Sequence, residues 1–252
     1  MRFLHFCGGD KGGVGKTFFA KFLINYYESL NIPLVVYETD RSNQDIFRAY
    51  SRTDQHESLV KIKTAFFSDN PVLRDAPDAI LYDALDGGTD VVVNLPAGAG
   101  LYFFDWWEGT GAGELLRNKD VKAVYWFLLA SEQVERLQKF VIRSDIATVI
   151  VCNLYIQPEW KSIIDLIKQK LSEIGGVDVE ALKIIELPYL SSSVANSLAQ
   201  RRRSVRSALR GEDGGSLKLL ELKRLEVYTN TFADLVRSTG YVPMGESHHH
   251  QG

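Results

Sequence analysis

Residues 10–17 of the chain read Asp-Lys-Gly-Gly-Val-Gly-Lys-Thr, and the rest of the sequence is interpreted around this stretch. It follows a short apolar run over residues 3–7 and opens a segment with the periodicity of a helix. Glycines allow such a turn to aim successive backbone N–H groups at phosphate oxygens, and the start of the helix adds the positive end of its dipole. The stretch therefore predicts a phosphate-binding loop between a strand and a helix.

The side chains of this loop favour a nucleoside triphosphate with a metal ion. Lys16 is spaced to reach the β and γ phosphates, and the Thr17 hydroxyl is spaced to ligate Mg²⁺. The strict GxxxxGK[ST] pattern is not met, because its first glycine falls on Asp10; the loop instead carries a second lysine, Lys11. A dinucleotide-binding turn is disfavoured, because Phe18 stands where GxGxxG requires its third glycine.

Composition sets the class of protein. The chain has 252 residues, 45% of them hydrophobic and 24% charged, which favours one globular domain. We expect this domain to cover residues 1–245. The His-rich tail at 246–252 is either natural or derived from a tag. The net charge of -3 gives no global attraction to nucleic acid or anionic lipid.

No run reaches 18 apolar residues, and the N-terminal run is too short for a signal peptide, so we expect a cytoplasmic protein without a membrane span. Cys7 and Cys152 lie in apolar runs and are predicted to be buried thiols.

Short apolar runs alternate with helical patterns along the chain. The apolar runs cover residues 3–7, 33–37, 90–94, 123–129, 147–152 and 183–187. The helical patterns cover residues 16–30, 77–86, 132–143, 159–175, 193–209 and 216–239. The runs barely alternate with polar residues, which is typical of strands buried on both faces, so we predict an α/β fold with a doubly wound, mostly parallel sheet flanked by helices. The irregular stretch 47–77 is expected to hold a small strand or helical insert.

The loop with its extra lysine resembles the deviant Walker A motif of the ParA/MinD family of P-loop ATPases, and the resemblance extends over most of the chain. It implies that Lys11 reaches across a dimer interface to the partner's nucleotide, so that ATP joins two copies. It also implies ATP or ADP with Mg²⁺ as ligands. The nucleotide-binding residues carried over from the loop are Gly12, Gly13, Val14, Gly15, Lys16, Thr17 and Phe18. A metabolic ligase of related fold is disfavoured, because such enzymes usually lack the extra lysine.

Two segments match the switch regions of that family. Glu38-Thr39-Asp40 corresponds to its DxD segment, which implies that Asp40 positions the attacking water and lies at the metal, with Lys11 and Lys16 as the other catalytic groups. Glu38 is treated as mild drift from Asp. The alternative for Asp40 is that it caps a turn with the residues that follow it.

Asn94 stands where the family carries the Walker B acid, at the end of residues 91–98, which read Val-Val-Val-Asn-Leu-Pro-Ala-Gly. An asparagine can hold a Mg²⁺-bound water by a hydrogen bond but supplies no negative charge. This departure from the family's motif therefore predicts weaker metal binding and slow hydrolysis.

Three residues correspond to the family's base site. Asn153, directly after the apolar run 147–152, matches the asparagine that reads the adenine edge. Pro188 and Tyr189 match the strand end that closes over the base. Without the resemblance, an Asn after a strand is a common turn former.

Two features suggest partners. Trp106 and Trp107 follow the second switch segment and are interpreted either as the buried start of a helix or as a docking surface for a protein. Four arginines at the end of the pattern 193–209 and directly after it would form either a face that binds DNA phosphates or a solvated face. They are Arg202, Arg203, Arg206 and Arg210.

These expectations describe a Mg-ATP-dependent ATPase that dimerises on ATP, a divergent member near the plasmid partition and mobilisation ATPases, acting in DNA segregation or transfer. The alternative is a nucleotide-binding regulatory module with little turnover that docks to a protein partner near Trp106 and Trp107.

Overall fold

In the computed structural model of the chain, the described residues are 1–9, 11–51, 59–68, 70–130, 134–157, 159–174, 178–200, 203–212 and 217–245. Within these ranges seven strands form one sheet in the order β3-β2-β4-β1-β5-β6-β7, with all neighbouring strands parallel. The strands are β1 Arg2–Gly8, β2 Leu34–Glu38, β3 Val60–Thr64, β4 Asp90–Asn94, β5 Val121–Leu128, β6 Ala147–Asn153 and β7 Lys183–Leu187. The predicted doubly wound α/β fold is confirmed, and the insert in residues 47–77 contains the edge strand β3. The predicted tail lies outside the described residues.

The helices lie on both faces of this sheet. They are α1 Lys16–Ser29, α2 Asp45–Tyr50, α3 Asp78–Asp86, α4 Gly100–Thr110, α5 Ala112–Asn118, α6 Val134–Val141, α7 Lys161–Ile174, α8 Ser192–Gln200, α9 Val205–Arg210 and α10 Leu219–Ser238, with a 3₁₀ turn at Pro71–Leu73. The single helix predicted over residues 193–209 is wrong, because α8 ends at Gln200 and Ser204 begins a second helix, α9. Its hydroxyl accepts a hydrogen bond of 3.0 Å from the N–H of Ser207, so Ser204 is the N-cap that starts α9.

Two apolar cores result, one on each face. Aromatic side chains of α1 and α10, such as Phe19 and Phe232, pack on one face of the sheet. Phe103 and Trp107 of α4 pack on the other face. Each large side chain buried in this way contributes about 1.5–3 kcal/mol, so the two layers fix the sheet and the loops at its edge. None of the described helices has the length and apolarity that crossing a membrane requires.

A chain of buried polar groups runs through the first core. The indole N–H of Trp126 donates to His5 Nδ1 at 3.1 Å, His5 Nε2 lies 2.7 Å from the Tyr27 hydroxyl, and that hydroxyl donates to Asp90 Oδ2 at 2.8 Å. Because an indole only donates, Nδ1 accepts and the neutral imidazole carries its proton on Nε2. Burial lowers the pKa of His5 to about 3, so this network holds a neutral histidine.

Candidate phosphate-binding site at the carboxyl edge of the sheet

The glycine-rich loop leaves the carboxyl end of β1, the strand at which the chain switches from one side of the sheet to the other. Open α/β sheets bind ligands at this position. Gly13 and Gly15 have φ angles of 78° and 99°, in the left-handed region where a side chain is strained, and Gly15 is the N-cap of α1. Val14 is buried, whereas Gly12 and Gly13 are exposed, so the loop presents its backbone outward. Asp10 lies outside the described residues.

The two lysines of the loop have different environments. Lys16 is only 7% exposed, and its ammonium donates to the backbone carbonyl of Lys11 at 2.8 Å. The buried ammonium therefore folds back over the loop from the first turn of α1. Lys11 is exposed on the same loop. The structure thus brings the two predicted catalytic lysines together, one folded onto the loop and one facing solvent.

Beside the loop, side chains from α1, β2 and β4 meet. Glu38 and Asn94 lie opposite each other in the parallel pairing of β2 with β4. The Asn94 amide Nδ2 donates to Glu38 Oε1 at 2.8 Å and lies 3.4 Å from the Thr17 hydroxyl. Within the described part of the chain, the buried Asn94 Oδ1 accepts no hydrogen bond. Leaving a buried acceptor unsatisfied costs about 1–3 kcal/mol, so this oxygen fits a ligand such as a metal-bound water.

Glu38 is the residue that sequence reasoning passed over. It is 1% exposed, and burial raises the pKa of its carboxyl to about 7, although hydrogen bonds from Asn94 and from the N–H groups of Asp40 and Ile46 oppose that shift. Lys21, one turn along α1 from Thr17, is also buried, and the loss of hydration lowers the pKa of its ammonium. In the sequence, the position of Glu38 at the end of an apolar run indicates the carboxyl end of a strand, where site residues lie. The structure adds that this strand pairs with β4, so the Glu38 side chain contacts the Asn94 amide.

Asp40 adopts the arrangement given as its alternative in the sequence. Its Oδ1 accepts from the Ser42 N–H at 2.9 Å, from the Ser42 hydroxyl at 2.7 Å and from the Asn43 N–H at 3.1 Å. It therefore caps the turn after β2. The assignment of Asp40 as the group that positions water, and as part of the metal site, stays a prediction.

On the other side of the loop lie the residues predicted to hold the base. Asn153 ends β6 and is 7% exposed, with its amide against the loop. Pro188 and Tyr189 follow β7 and line a cavity of about 460 Å³ whose other wall is α10. The Phe18 ring lies 5.9 Å from the Tyr228 ring of that wall, which places the cavity next to the start of α1. The structure thus brings all three predicted base residues to the same edge as the loop.

The two tryptophans have a core role. Trp106 and Trp107 are 7% and 1% exposed, and their indole N–H groups donate to Asp78 at 2.8 Å and Asp145 at 2.7 Å. They lie in the second half of α4 and not at its start. Because both rings are packed inside, the expectation that their indoles form a docking surface is corrected.

The predicted arginine face is not assembled in the described part of the chain. Arg202 lies outside the described residues. Arg203 is 2% exposed, so burial removes it from contact with DNA, which corrects that assignment. Arg206 is half-buried against Glu28 of α1, with Nη1 3.9 Å from the carboxylate, and the exposed Arg210 donates to Glu212 at 3.3 Å. The physical reason is that α9, a separate helix that starts after Ser204, packs against α1.

No protein-family model matches the chain, and no curated protein matches its sequence significantly. Among solved structures, the chain is similar to a nucleotide-binding protein of Archaeoglobus fulgidus in complex with ADP. The two share 14% sequence identity over 80% of this chain and 87% of that chain, with a TM-score of 0.48. We draw no conclusion about function from a likeness at this identity and TM-score, so membership of the ParA/MinD family stays an expectation based on the sequence motif.

Proposed function

We propose that the chain binds a nucleoside triphosphate with Mg²⁺ at the loop between β1 and α1, with ATP as its physiological ligand. The observation that carries this proposal is the convergence at one sheet edge of a left-handed glycine loop, a buried Lys16 ammonium and the group formed by Thr17, Asn94 and Glu38. A helix N-terminus, a cation and an oxygen-rich corner are the parts that a Mg²⁺-triphosphate needs.

Each part has a distinct role in this proposal. The backbone N–H groups of the loop and of the first turn of α1 bind the phosphate oxygens, and Lys16 exchanges its bond to the Lys11 carbonyl for bonds to phosphate. When bound, Mg²⁺ neutralises phosphate charge and orients the terminal phosphate. The Thr17 hydroxyl would ligate the ion, and Asn94 and Glu38 would hold a water bound to it.

We further propose that two copies associate around ATP and that slow hydrolysis releases them, in the service of DNA or plasmid segregation or transfer inside the cytoplasm. The support is the resemblance of the loop to the ParA/MinD motif, together with the exposure of Lys11 beside the buried Lys16. In this proposal Lys11, which lies on the exposed part of the loop, contacts the nucleotide held by a second copy.

A regulatory module with little turnover is the second candidate, and a specific observation favours it. The Asp40 oxygen that accepts three hydrogen bonds is committed to its own turn, and Asn94 supplies no charge at the metal. A protein partner of such a module would dock outside the buried indoles of α4.

Two measurements test the proposal and separate these candidates. Calorimetric titration with Mg-ATP is expected to show binding of one nucleotide per chain, and a titration without binding would contradict the site. Steady-state phosphate release then distinguishes the two functions. A dimerising ATPase gives slow turnover, well below the median enzyme rate of about 10 s⁻¹, whereas the regulatory module gives binding without release.

A further inference from the structure

We propose that this site holds the nucleotide base by aromatic stacking, and that Asn153 supports the phosphate loop instead of reading the base. The site would then bind adenine and guanine nucleotides with similar affinity. The inference rests on the proposed function, because it concerns how the same site holds the other end of the nucleotide.

The amide of Asn153 is engaged on both sides. Its Nδ2 donates to the Val14 carbonyl in the phosphate loop at 3.3 Å, and its Oδ1 accepts from the N–H of Tyr155 at 3.0 Å. Since the residue is 7% exposed, the remaining N–H and lone pair of the amide have little access to a ligand. A base edge would have to displace one of these two bonds.

The contact with the loop is also tight. A Cβ atom added to Gly15 would lie 2.7 Å from Asn153 Nδ2, so the amide fills the space directly against the loop backbone. Gly15 is the residue whose left-handed conformation starts α1. Asn153 therefore ties the end of β6 to the phosphate loop, which makes it a positioning residue for the phosphates.

Next to this amide, two tyrosines present ring surface to solvent. Tyr155 and Tyr189 follow β6 and β7, and their rings are stacked with centroids 5.5 Å apart and an interplanar angle of 22°. Their exposed fractions are 45% and 60%, and Tyr189 also lines the cavity between Pro188 and α10. In this proposal the base stacks on the exposed ring of Tyr189, beside that cavity.

Stacking and hydrogen bonding differ in what they select. An amide that pairs with two atoms of a base edge typically discriminates between bases by about ten- to a hundredfold. Stacking on an aromatic ring is tolerant, because every base has a π face. With the amide engaged and the rings exposed, the geometry points to weak discrimination between purines.

The test compares the equilibrium affinities of ATP, GTP and inorganic tripolyphosphate, all with Mg²⁺, by calorimetry. The wild-type protein is expected to bind ATP and GTP within tenfold of each other. A preference for ATP larger than tenfold would overturn the inference and leave the proposed function intact. If none of the three probes binds, the proposed function and the inference both fail.

Variants separate the two roles. Asn153→Ala should weaken ATP, GTP and tripolyphosphate by the same factor, because it loosens the loop. Loss of ATP affinity with tripolyphosphate unchanged would show that Asn153 reads the base. Thermal unfolding checks that this buried variant is folded, and Tyr189 provides a second test at the surface.

Tyr189→Ala should weaken ATP and GTP about tenfold each and leave tripolyphosphate unchanged, whereas Tyr189→Phe should keep the affinity of all three probes. An alanine variant with wild-type affinity for ATP would contradict stacking at this ring.

Discussion

At the scale of single residues, the pair of Asn94 and Glu38 carries the chemistry that distinguishes this site. The Asn94 amide ends β4, and its Nδ2 lies 2.8 Å from Oε1 of the Glu38 carboxyl on the neighbouring strand β2. The acidic group beside Asn94 and the Thr17 hydroxyl therefore belongs to β2 and not to β4. This arrangement depends on the register of two strands whose residues lie 56 positions apart, so it was not predictable from either residue alone.

A prediction follows for Asn94→Asp. The new carboxylate at position 94 would face the Glu38 carboxylate, and Glu38 would lose the hydrogen bond that Nδ2 now donates. Repulsion between the two like charges then raises the pKa of one of them, so that one carboxylate takes up a proton. Without nucleotide, the variant should have a lower melting temperature than the wild type. Addition of Mg-ATP should raise the melting temperature of the variant by more than it raises that of the wild type. Calorimetric melting measures both. In the double variant Glu38→Gln, Asn94→Asp, the amide at position 38 can donate to the carboxylate at position 94. This variant should therefore melt at a higher temperature than Asn94→Asp alone. If the double variant is no more stable, the pair is not the cause.

A second prediction concerns Glu38 alone. Glu38→Gln keeps the shape and removes the charge, so Mg²⁺ should strengthen ATP binding less than it does in the wild type, while binding of metal-free ATP stays the same or improves. Titrations with and without Mg²⁺ measure this difference. Glu114→Gln on the exposed face of α5 is the matched control and should behave like the wild type. An equal Mg²⁺ effect in Glu38→Gln and in the wild type would place the metal away from this carboxylate.

At the scale of elements, the strands were predictable where the sheet buries them on both sides. Buried β4, with sequence DVVVN, was predicted at the residues where it forms. Edge strand β3, with sequence VKIKT, alternates apolar and charged residues and was expected only as a small strand or helical insert, because three of its five residues are exposed to water. The break before α9 was not predicted, because a serine occurs both inside helices and as an N-cap. Only the structure shows that the Ser204 hydroxyl accepts from the N–H of Ser207 and so acts as an N-cap.

The cap of α9 gives an element-scale prediction. Ser204→Ala removes the acceptor of the Ser207 N–H, and loss of an N-cap typically costs about 0.5–2 kcal/mol of unfolding free energy. Urea denaturation measures the loss. Ser172→Ala is the control, because that exposed hydroxyl bonds a carbonyl of its own helix, and its replacement by a better helix former should cost nothing. Equal stability of the two variants would show that α9 does not depend on its cap.

At the scale of the whole molecule, the buried polar chain predicts how stability depends on pH. The pKa of His5 is about 3 in the folded protein and 6.5 when unfolded, so folding favours the neutral ring. Below pH 6.5 the unfolded chain binds a proton at His5 that the folded protein does not bind. The contribution of His5 to the free energy of unfolding is therefore complete above pH 6.5 and is lost as the pH falls toward 3. The loss is at most about 5 kcal/mol. Half-buried Glu28, whose pKa is raised to about 7, acts with the opposite sign, because the folded protein takes up its proton first as the pH falls.

The comparison of wild type with His5→Gln isolates this contribution. The variant has no group to titrate at this position, so its unfolding free energy should fall less steeply between pH 6.5 and pH 3. Denaturant melts at each pH provide the slopes. Parallel slopes for both proteins would mean that the burial of His5 does not control acid stability.

Lys11 gives the prediction for the assembly. Lys11→Ala should leave ATP affinity of the single chain nearly unchanged, because the ammonium folded onto the loop is that of Lys16. It should abolish association of two chains in the presence of a non-hydrolysable ATP analogue, followed by light scattering. A variant that still dimerises with the analogue would reduce Lys11 to a local phosphate contact.

The central claim is that the loop after β1 holds the phosphates of a Mg-nucleotide through Lys16, and one titration tests it most directly. Mg-ATP is titrated calorimetrically into the wild type, into Lys16→Ala and into the control Lys119→Ala, whose exposed lysine lies beyond α5. A charge-assisted bond to phosphate contributes about 1.5–3 kcal/mol, so Lys16→Ala should bind at least about tenfold more weakly, while Lys119→Ala matches the wild type. Equal affinity of Lys16→Ala and the wild type would contradict the assignment of this loop.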